Sequence, residues 1–372
     1  MLKRFSVTNF KNFENKTTFC LDSAANYEFN SDIVQNGCIT KGLIFGINGS
    51  GKSNLALAIF DIVLHLTDKQ RNFDKYELYL NLDSKKPTAE FEYVFCFDGN
   101  EVVYKYSKTA PINLTYESVS INGKEVLNYD FQLRKGYTSL SGAENLQLSS
   151  SLMTEADKLS RVKYVKSNAI LQDNKENRAF IAFTSFVDNM LMFYSLDQRR
   201  YQGFSVGVDS YTQGIIREGK TKDFENFLKS QGVDYNLEER EVVSGIKELF
   251  CKFENGSVPF SSVASTGTNS LALFYYWYLY MSKASFVFID EYDAFYHFEL
   301  SQELVKLVKT LPNTQVFLSS HNTDLLSNDL LRPDAYFKIE DNNIKSFDKA
   351  SVKELRRAHN LQKMYKAGSF NE

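Results

Sequence analysis

The chain has 372 residues, 43% hydrophobic and 24% charged, with 31 Phe and 22 Tyr against one Trp; this is the make-up of a globular protein with ample bulk for a core, and the length fits two average domains or one with insertions. A net charge of −3 excludes a global positive field for nucleic acid, which leaves only a local patch to make such a contact. Cys20, Cys38, Cys96 and Cys251 follow neither metal nor disulfide spacing, which excludes a stapled secreted scaffold and fits a reduced cytoplasm.

In chain order, Leu2 to Ile47 reads as strands: Val7 to Phe10, Thr17 to Leu21, and the apolar run Gly42 to Gly46. A helix is predicted from Lys52 to about Leu66, with Leu55, Ile59, Ile62, Val63 and Leu66 at helical spacing. Two hairpins follow. Phe91, Tyr93, Phe95 and Phe97 alternate up to Asp98-Gly99, and Tyr116 to Ile121 runs into Asn122-Gly123. These aromatics read as a sheet face rather than a base-stacking platform.

From Asp130 to Asn255 the pattern is mixed and largely helical, with helical spacing over Ala179 to Ser195 and Asp223 to Ser230. After Gly256 helices and strands alternate: helix Asn269 to Met281, strand Phe286 to Ile289, helix Glu299 to Thr310, strand Gln315 to Leu318. A pair of strands, Ala335 to Ile339 and Ile344 to Phe347, brackets Asp341-Asn342-Asn343. Ser351 to Glu354 then reads as a capping box opening a last helix that ends near Gly368. The most apolar run, Leu271 to Met281, is too short to span a bilayer, and the start has no signal-peptide stretch. A soluble cytoplasmic protein without membrane contact is expected.

Gly46-Ile47-Asn48-Gly49-Ser50-Gly51-Lys52-Ser53 matches G-x-x-x-x-G-K-[ST] in full, after an apolar strand and before an amphipathic helix. Such a loop turns its N–H groups toward phosphate oxygens at the positive end of the helix. Lys52 is expected on the β- and γ-phosphates, and Ser53 on a magnesium ion. The strand ending in Asp290-Glu291 supplies a second magnesium ligand, Asp290, and a base for water, Glu291. His321 closes the next strand, where a γ-phosphate sensor belongs. Ala264 to Thr268 reads either as an ordinary helix N-cap or as a phosphate contact for a nucleotide held by another subunit. The helix it opens is about 20 Å long at 1.5 Å per residue, which separates Gly267 from Asp290 and suits a contact in trans.

Together these residues resemble the ABC/SMC-type ATPases, and more narrowly the SMC-like bacterial ATPases of anti-phage and abortive-infection systems, akin to the ATPase part of the overcoming-lysogenization-defect nucleases. Asn9-Phe10-Lys11-Asn12-Phe13 is similar to that family's first strand and turn, which implies Lys11 near the nucleotide. Asn48 and Asn54 flank the loop as in this branch. Ser265-Thr266-Gly267-Thr268 resembles the ABC signature, with Thr266 in place of a glycine, and Ser320 to Leu326 resembles the switch-histidine segment. A Q-loop would fall near Leu80 to Ser84.

The resemblance implies an α/β fold, an ABC-type P-loop ATPase head with an antiparallel β-lobe, and with the residue pattern it divides the chain into an N-terminal ATPase lobe with the P-loop and β-hairpins (1–129), a mostly helical insertion (130–255) and a C-terminal ATPase lobe (256–372). It implies ATP and Mg2+ as ligands. Asn48, Gly49, Ser50, Gly51, Lys52, Ser53, Asn54 and Lys11 would face the nucleotide, Ser53 and Asp290 the metal, with Glu291 and His321 catalytic. Ser265 and Gly267 would complete the site of a second copy, giving a homodimer or higher homo-oligomer through the heads. No metal-nuclease carboxylate cluster follows His321, so a separate effector, nuclease or toxin, is expected. The expected function is an ATPase subunit that senses or restrains in anti-phage defence. A DNA-repair ATPase of the RecF kind is the alternative; nucleic-acid binding is not indicated by the charge.

Overall fold

The structure is a computed structural model describing residues 1–69, 74–148, 159–194, 200–203 and 211–370. Its centre is a seven-stranded sheet in the order Arg200–Gly203, Met190–Tyr194, Phe286–Asp290, Gln315–Ser320, Lys41–Phe45, Tyr336–Glu340 and Asn343–Ser346. The inner five strands are parallel and the two edge strands antiparallel. Parallel strands covered on both faces read as unbroken apolar runs, and Phe286–Asp290, Gln315–Ser320 and Lys41–Phe45 are buried along their whole length.

The helix Lys52–Leu66 is buried almost all round because two sheets sandwich it. Its Phe60 ring packs on Phe286 of the parallel sheet, with centroids 6.1 Å apart. The opposite flank meets a second, antiparallel sheet of seven strands, ordered Lys135–Thr138, Lys124–Asp130, Asn113–Ile121, Asn100–Ala110, Ala89–Phe97, Leu2–Thr8 and Thr17–Cys20. As the alternation foretold, Phe91, Tyr93 and Phe95 turn into the core. The Tyr93 hydroxyl donates to the helix carbonyls of Ala58 and Ile59, at 3.0 and 3.1 Å.

Asp61 anchors this contact. Its fully buried carboxylate accepts from Lys108 Nζ at 2.6 Å, Tyr106 at 2.9 Å and Tyr79 at 2.8 Å. Burial lowers the Lys108 pKa while Asp61 opposes the shift. With three donors on one carboxylate, no charge in the group lacks a partner, which is the condition for tolerating a buried ion pair.

Three elements differ from expectation. Helical spacing over Ala179 to Ser195 resolves into a helix, Lys175–Asp188, and a strand, Met190–Tyr194; Ser195 lies outside the described residues. Met190 to Tyr194 is a short apolar run, and periodicity alone cannot tell such a strand from a buried helix. The stretch 130–255 therefore has helices at Arg161–Asn168, Lys175–Asp188, Tyr211–Arg217 and Thr221–Ser230, yet also lends Met190–Tyr194 and Arg200–Gly203 to the central sheet. It holds two strands of a small third sheet as well, Leu237–Val243 and Ile246–Phe253, joined there by Gly256–Pro259. The capping box is not formed. Ser351 closes a turn on Lys353, accepting from its N–H at 3.2 Å and donating to its carbonyl at 2.9 Å, the local bonding by which serine competes with a helix. The last helix is Leu361–Lys366, capped by the Asn360 side chain. No helix among the described residues is long and apolar enough to cross a membrane.

Candidate functional site

Three neighbouring parallel strands bring the site together at their carboxyl ends. The register pairs Ile289 with Leu318, and Ser319 and Ser320 with Ile44 and Phe45. One step further along each strand lie Asp290-Glu291, His321 and the loop that starts at Gly46. In open α/β sheets this edge is where ligands bind.

The loop from Gly46 to Ser53 turns straight into the Lys52–Leu66 helix. Gly49 and Gly51 have φ of 81° and 104°, a region that costs an L side chain strain. A Cβ on Gly51 would lie 2.5 Å from Asn12 Nδ2, and one on Gly46 would lie 2.9 Å from the Ile339 carbonyl oxygen and against the Ser50 hydroxyl. Asn48 and Gly49 are exposed, as is Ser53 at the start of the helix. Lys52 Nζ donates to the carbonyls of Gly46 and Ile47, at 2.9 and 3.2 Å. Burial lowers its pKa, and the Asp290 and Glu291 carboxylates pull the other way.

His321 lies between the lysine and the acid. Its Nδ1 is 3.4 Å from Lys52 Nζ and its Nε2 is 3.3 Å from Glu291 Oε1. An ammonium has only donors, so Nδ1 takes the lone pair and the proton is assigned to Nε2, facing Glu291. Glu291 itself has φ of 44°, a left-handed backbone that costs a non-glycine residue about 1–3 kcal/mol and clusters at functional sites. Asp290 is buried and accepts from the Ser319 hydroxyl at 2.5 Å. Asp293 accepts from Ser320 at 2.6 Å, and burial raises its pKa against that bond.

Two features support a phosphate and a hard cation here. The Ser50 hydroxyl is buried and has no hydrogen-bond partner, which fits a donor reserved for an anion in the loop. The Ser53 hydroxyl and the Asp290 carboxylate are hard oxygen donors of the kind magnesium takes.

The other expected residues are placed elsewhere. Lys11, at φ 50°, donates from Nζ to the Glu77 carbonyl at 2.9 Å and lies over the Phe10 ring; burial lowers its pKa. Asn54 donates to Asn12 Oδ1 at 2.7 Å, and Asn12 donates onward to Asn342 Oδ1 at 2.6 Å. This amide chain ties the loop helix to the N-terminal turn and to the turn before Asn343–Ser346. Ser265 accepts from the Thr268 N–H at 3.1 Å as N-cap of the helix Thr266–Met281, the plain reading of that segment. A Cβ on Gly267 would lie 3.0 Å from the Phe295 carbonyl oxygen, so this helix start packs on the loop that follows Glu291. Near the position expected for a Q-loop, the Asn81 side chain donates to the Lys11 carbonyl at 2.7 Å and accepts from Asp83 and Ser84, both at 3.0 Å.

Sequence reasoning missed Ser319, Asn12 and Asn342. Asn12 and Asn342 lie inside segments singled out above and Ser319 between two of them, but no spacing rule tells which hydroxyl or amide crosses to a neighbouring strand or turn.

Residues 43–327 match the family described as "AAA domain, putative AbiEii toxin, Type IV TA system". No curated protein matches the chain. Among solved structures it is similar to an SMC head domain from Thermotoga maritima, with 16% identity over 93% of this chain and 98% of that one and a TM-score of 0.44. It is similar too to an SMC head bound to the C-winged helix domain of ScpA, with 16% identity, 94% and 98% covered and a TM-score of 0.49. An SMC head with an extended coiled coil, bound to the C-terminal domain of ScpA derived from Pyrococcus furiosus, gives 14%, 94% and 97%, with a TM-score of 0.43.

Proposed function

The chain belongs to this AAA-domain family, and from that premise we propose that it is an ABC/SMC-like ATPase that binds and hydrolyses ATP as the sensor or regulator of an anti-phage defence system, acting with a separate effector. The observation that carries the chemistry is the meeting of Lys52, Asp290, Glu291 and His321 at the ends of three adjacent parallel strands. The family description, which names a type IV toxin–antitoxin system, supports the setting.

In this reading the loop N–H groups and Lys52 hold the phosphates, and the Ser50 hydroxyl finds its partner there. Ser53 and Asp290 would hold a magnesium ion, which supplies charge neutralisation at the β- and γ-oxygens when bound. Glu291 orients a water and takes its proton. His321, anchored between Lys52 and Glu291, donates from Nε2 toward charge that develops beside the carboxylate.

Ser265 and Gly267 are assigned to the nucleotide of a second copy. ATP should then drive a dimer, seen by light scattering most clearly in Glu291→Gln, while Ser265→Arg stays monomeric and still binds ATP. The same mass with and without ATP in both wild type and Glu291→Gln would count against the shared site.

The purified chain should hydrolyse ATP yet leave plasmid DNA, RNA and tRNA uncut with magnesium or manganese. Among the described residues no group of three or more His, Cys, Asp or Glu is placed to hold a metal ion unaided. Coexpression with the product of the neighbouring gene should yield a complex. Cleavage of those substrates by the pure chain, lost on Glu291→Gln, would overturn the division between regulator and effector.

A further inference from the structure

Asp290, Glu291 and Tyr292 leave the end of their strand in a turn that neighbours alone do not explain, because Glu291 takes a left-handed backbone, φ 44°. All three are held by one residue of the adjacent strand. The Ser319 hydroxyl donates to Asp290 Oδ1 at 2.5 Å and accepts from the Glu291 N–H at 2.8 Å. The Ser319 carbonyl accepts from the Tyr292 N–H at 3.2 Å. Ser319 is itself completely buried, in a strand whose register with Phe286–Asp290 is set by Phe286↔Gln315 through Ile289↔Leu318.

A hydroxyl has one proton and two lone pairs. Here the proton goes to Asp290, so one carboxylate oxygen is engaged and this bond leaves the other unused. A lone pair goes to the Glu291 N–H, which holds the strained turn and sets where its carboxylate points. Alanine at 319 would break both bonds at once without touching the phosphate loop.

We propose that Ser319 is a positioning residue that aims the Asp290 carboxylate at the metal and the Glu291 carboxylate at the attacking water through a single hydroxyl. The proposal rests on the reading of Asp290 and Glu291 given above. Ser319 does not touch the substrate; it acts through the two acids, as the hydrogen-bond partners of metal ligands do.

The test compares Ser319→Ala, Ser319→Thr and Glu291→Gln by three measurements: manganese affinity in the presence of ADP by electron paramagnetic resonance, kcat and KM for ATP, and thermal melting. Ser319→Ala should weaken manganese binding and lower kcat, each by about 10–100-fold, the usual cost of removing such a partner. KM for ATP should stay near that of wild type. Ser319→Thr keeps the hydroxyl on a strand-favouring side chain and should recover both quantities. If Ser319→Ala is not folded at the assay temperature, Ser319→Cys, similar in size and a weak donor, carries the same expectation. Wild-type manganese affinity and kcat in a folded Ser319→Ala or Ser319→Cys would overturn the proposal, as would a folded Ser319→Thr as impaired as alanine. Loss of turnover in Glu291→Gln with none in Ser319→Ala would sink the positioning role alone. Unchanged turnover in Glu291→Gln would sink the base assignment, and the manganese measurement would still decide Ser319.

Discussion

Glu291→Gln should lower ATP turnover by about 10²–10⁴-fold, the contribution of a positioned general base, while ATP binding stays close to wild type. Glutamine has nearly the same shape as glutamate. Its side-chain oxygen can still sit beside His321 Nε2, 3.3 Å from the carboxylate in the native site, and its backbone N–H can still donate to Ser319. What is lost is the capacity to take a proton from water. The phosphate loop and Asp290 are untouched, so nucleotide and metal should still be held. Phosphate release followed at saturating ATP, beside calorimetry of ATP binding, separates the two. A variant that turns over like wild type would remove Glu291 from the chemistry.

Lys52→Ala should do the opposite: nucleotide binding itself should fail. A charged hydrogen bond contributes about 1.5–3 kcal/mol, so two phosphate contacts imply a loss of about 10²–10⁴-fold in affinity at 1.4 kcal/mol per tenfold. The ammonium is well placed for this. It is anchored at the loop by the Gly46 and Ile47 carbonyls. Removing it also deletes those two backbone contacts, so a melting curve belongs beside the calorimetry. A folded Lys52→Ala that binds ATP as tightly as wild type would refute the assignment. Because one substitution is expected to spare binding and the other to abolish it, the pair tests the division of labour as well as the location.

Much of this architecture was legible in residue order alone, where local rules decide. The Lys52–Leu66 helix follows from residue order, since a glycine-rich loop on one side and a continuous apolar face on the other leave little choice. The antiparallel hairpins followed from alternation and from Asp98-Gly99 and Asn122-Gly123, whose residues take positive φ in the turns. The strands ending at Asp290 and Ser320 were visible as apolar runs, and the acids and histidine at their ends as polar residues where such runs stop. Local rules also had their limit. Met190 to Tyr194 is too short for periodicity to name it a strand, and its place beside Phe286–Asp290 comes from a parallel pairing far along the chain. Ser351-x-x-Glu354 satisfied the capping pattern, yet Asn360 is the cap that forms.

What the sequence by itself determined is the inventory of chemistry: which loop carries the glycine-rich pattern, which strand ends in two acids, which histidine follows. Each depends on neighbours in the chain, whose spacing is set by covalent geometry. What only the tertiary structure decided is how those parts are aimed. Strand register places Ser319 beside Asp290 and Glu291, and the fold brings Asn342 to Asn12 and Asp61 to Lys108. Those hydrogen bonds join residues remote in sequence, and their directions depend on the packing of whole sheets and helices, which no local pattern encodes.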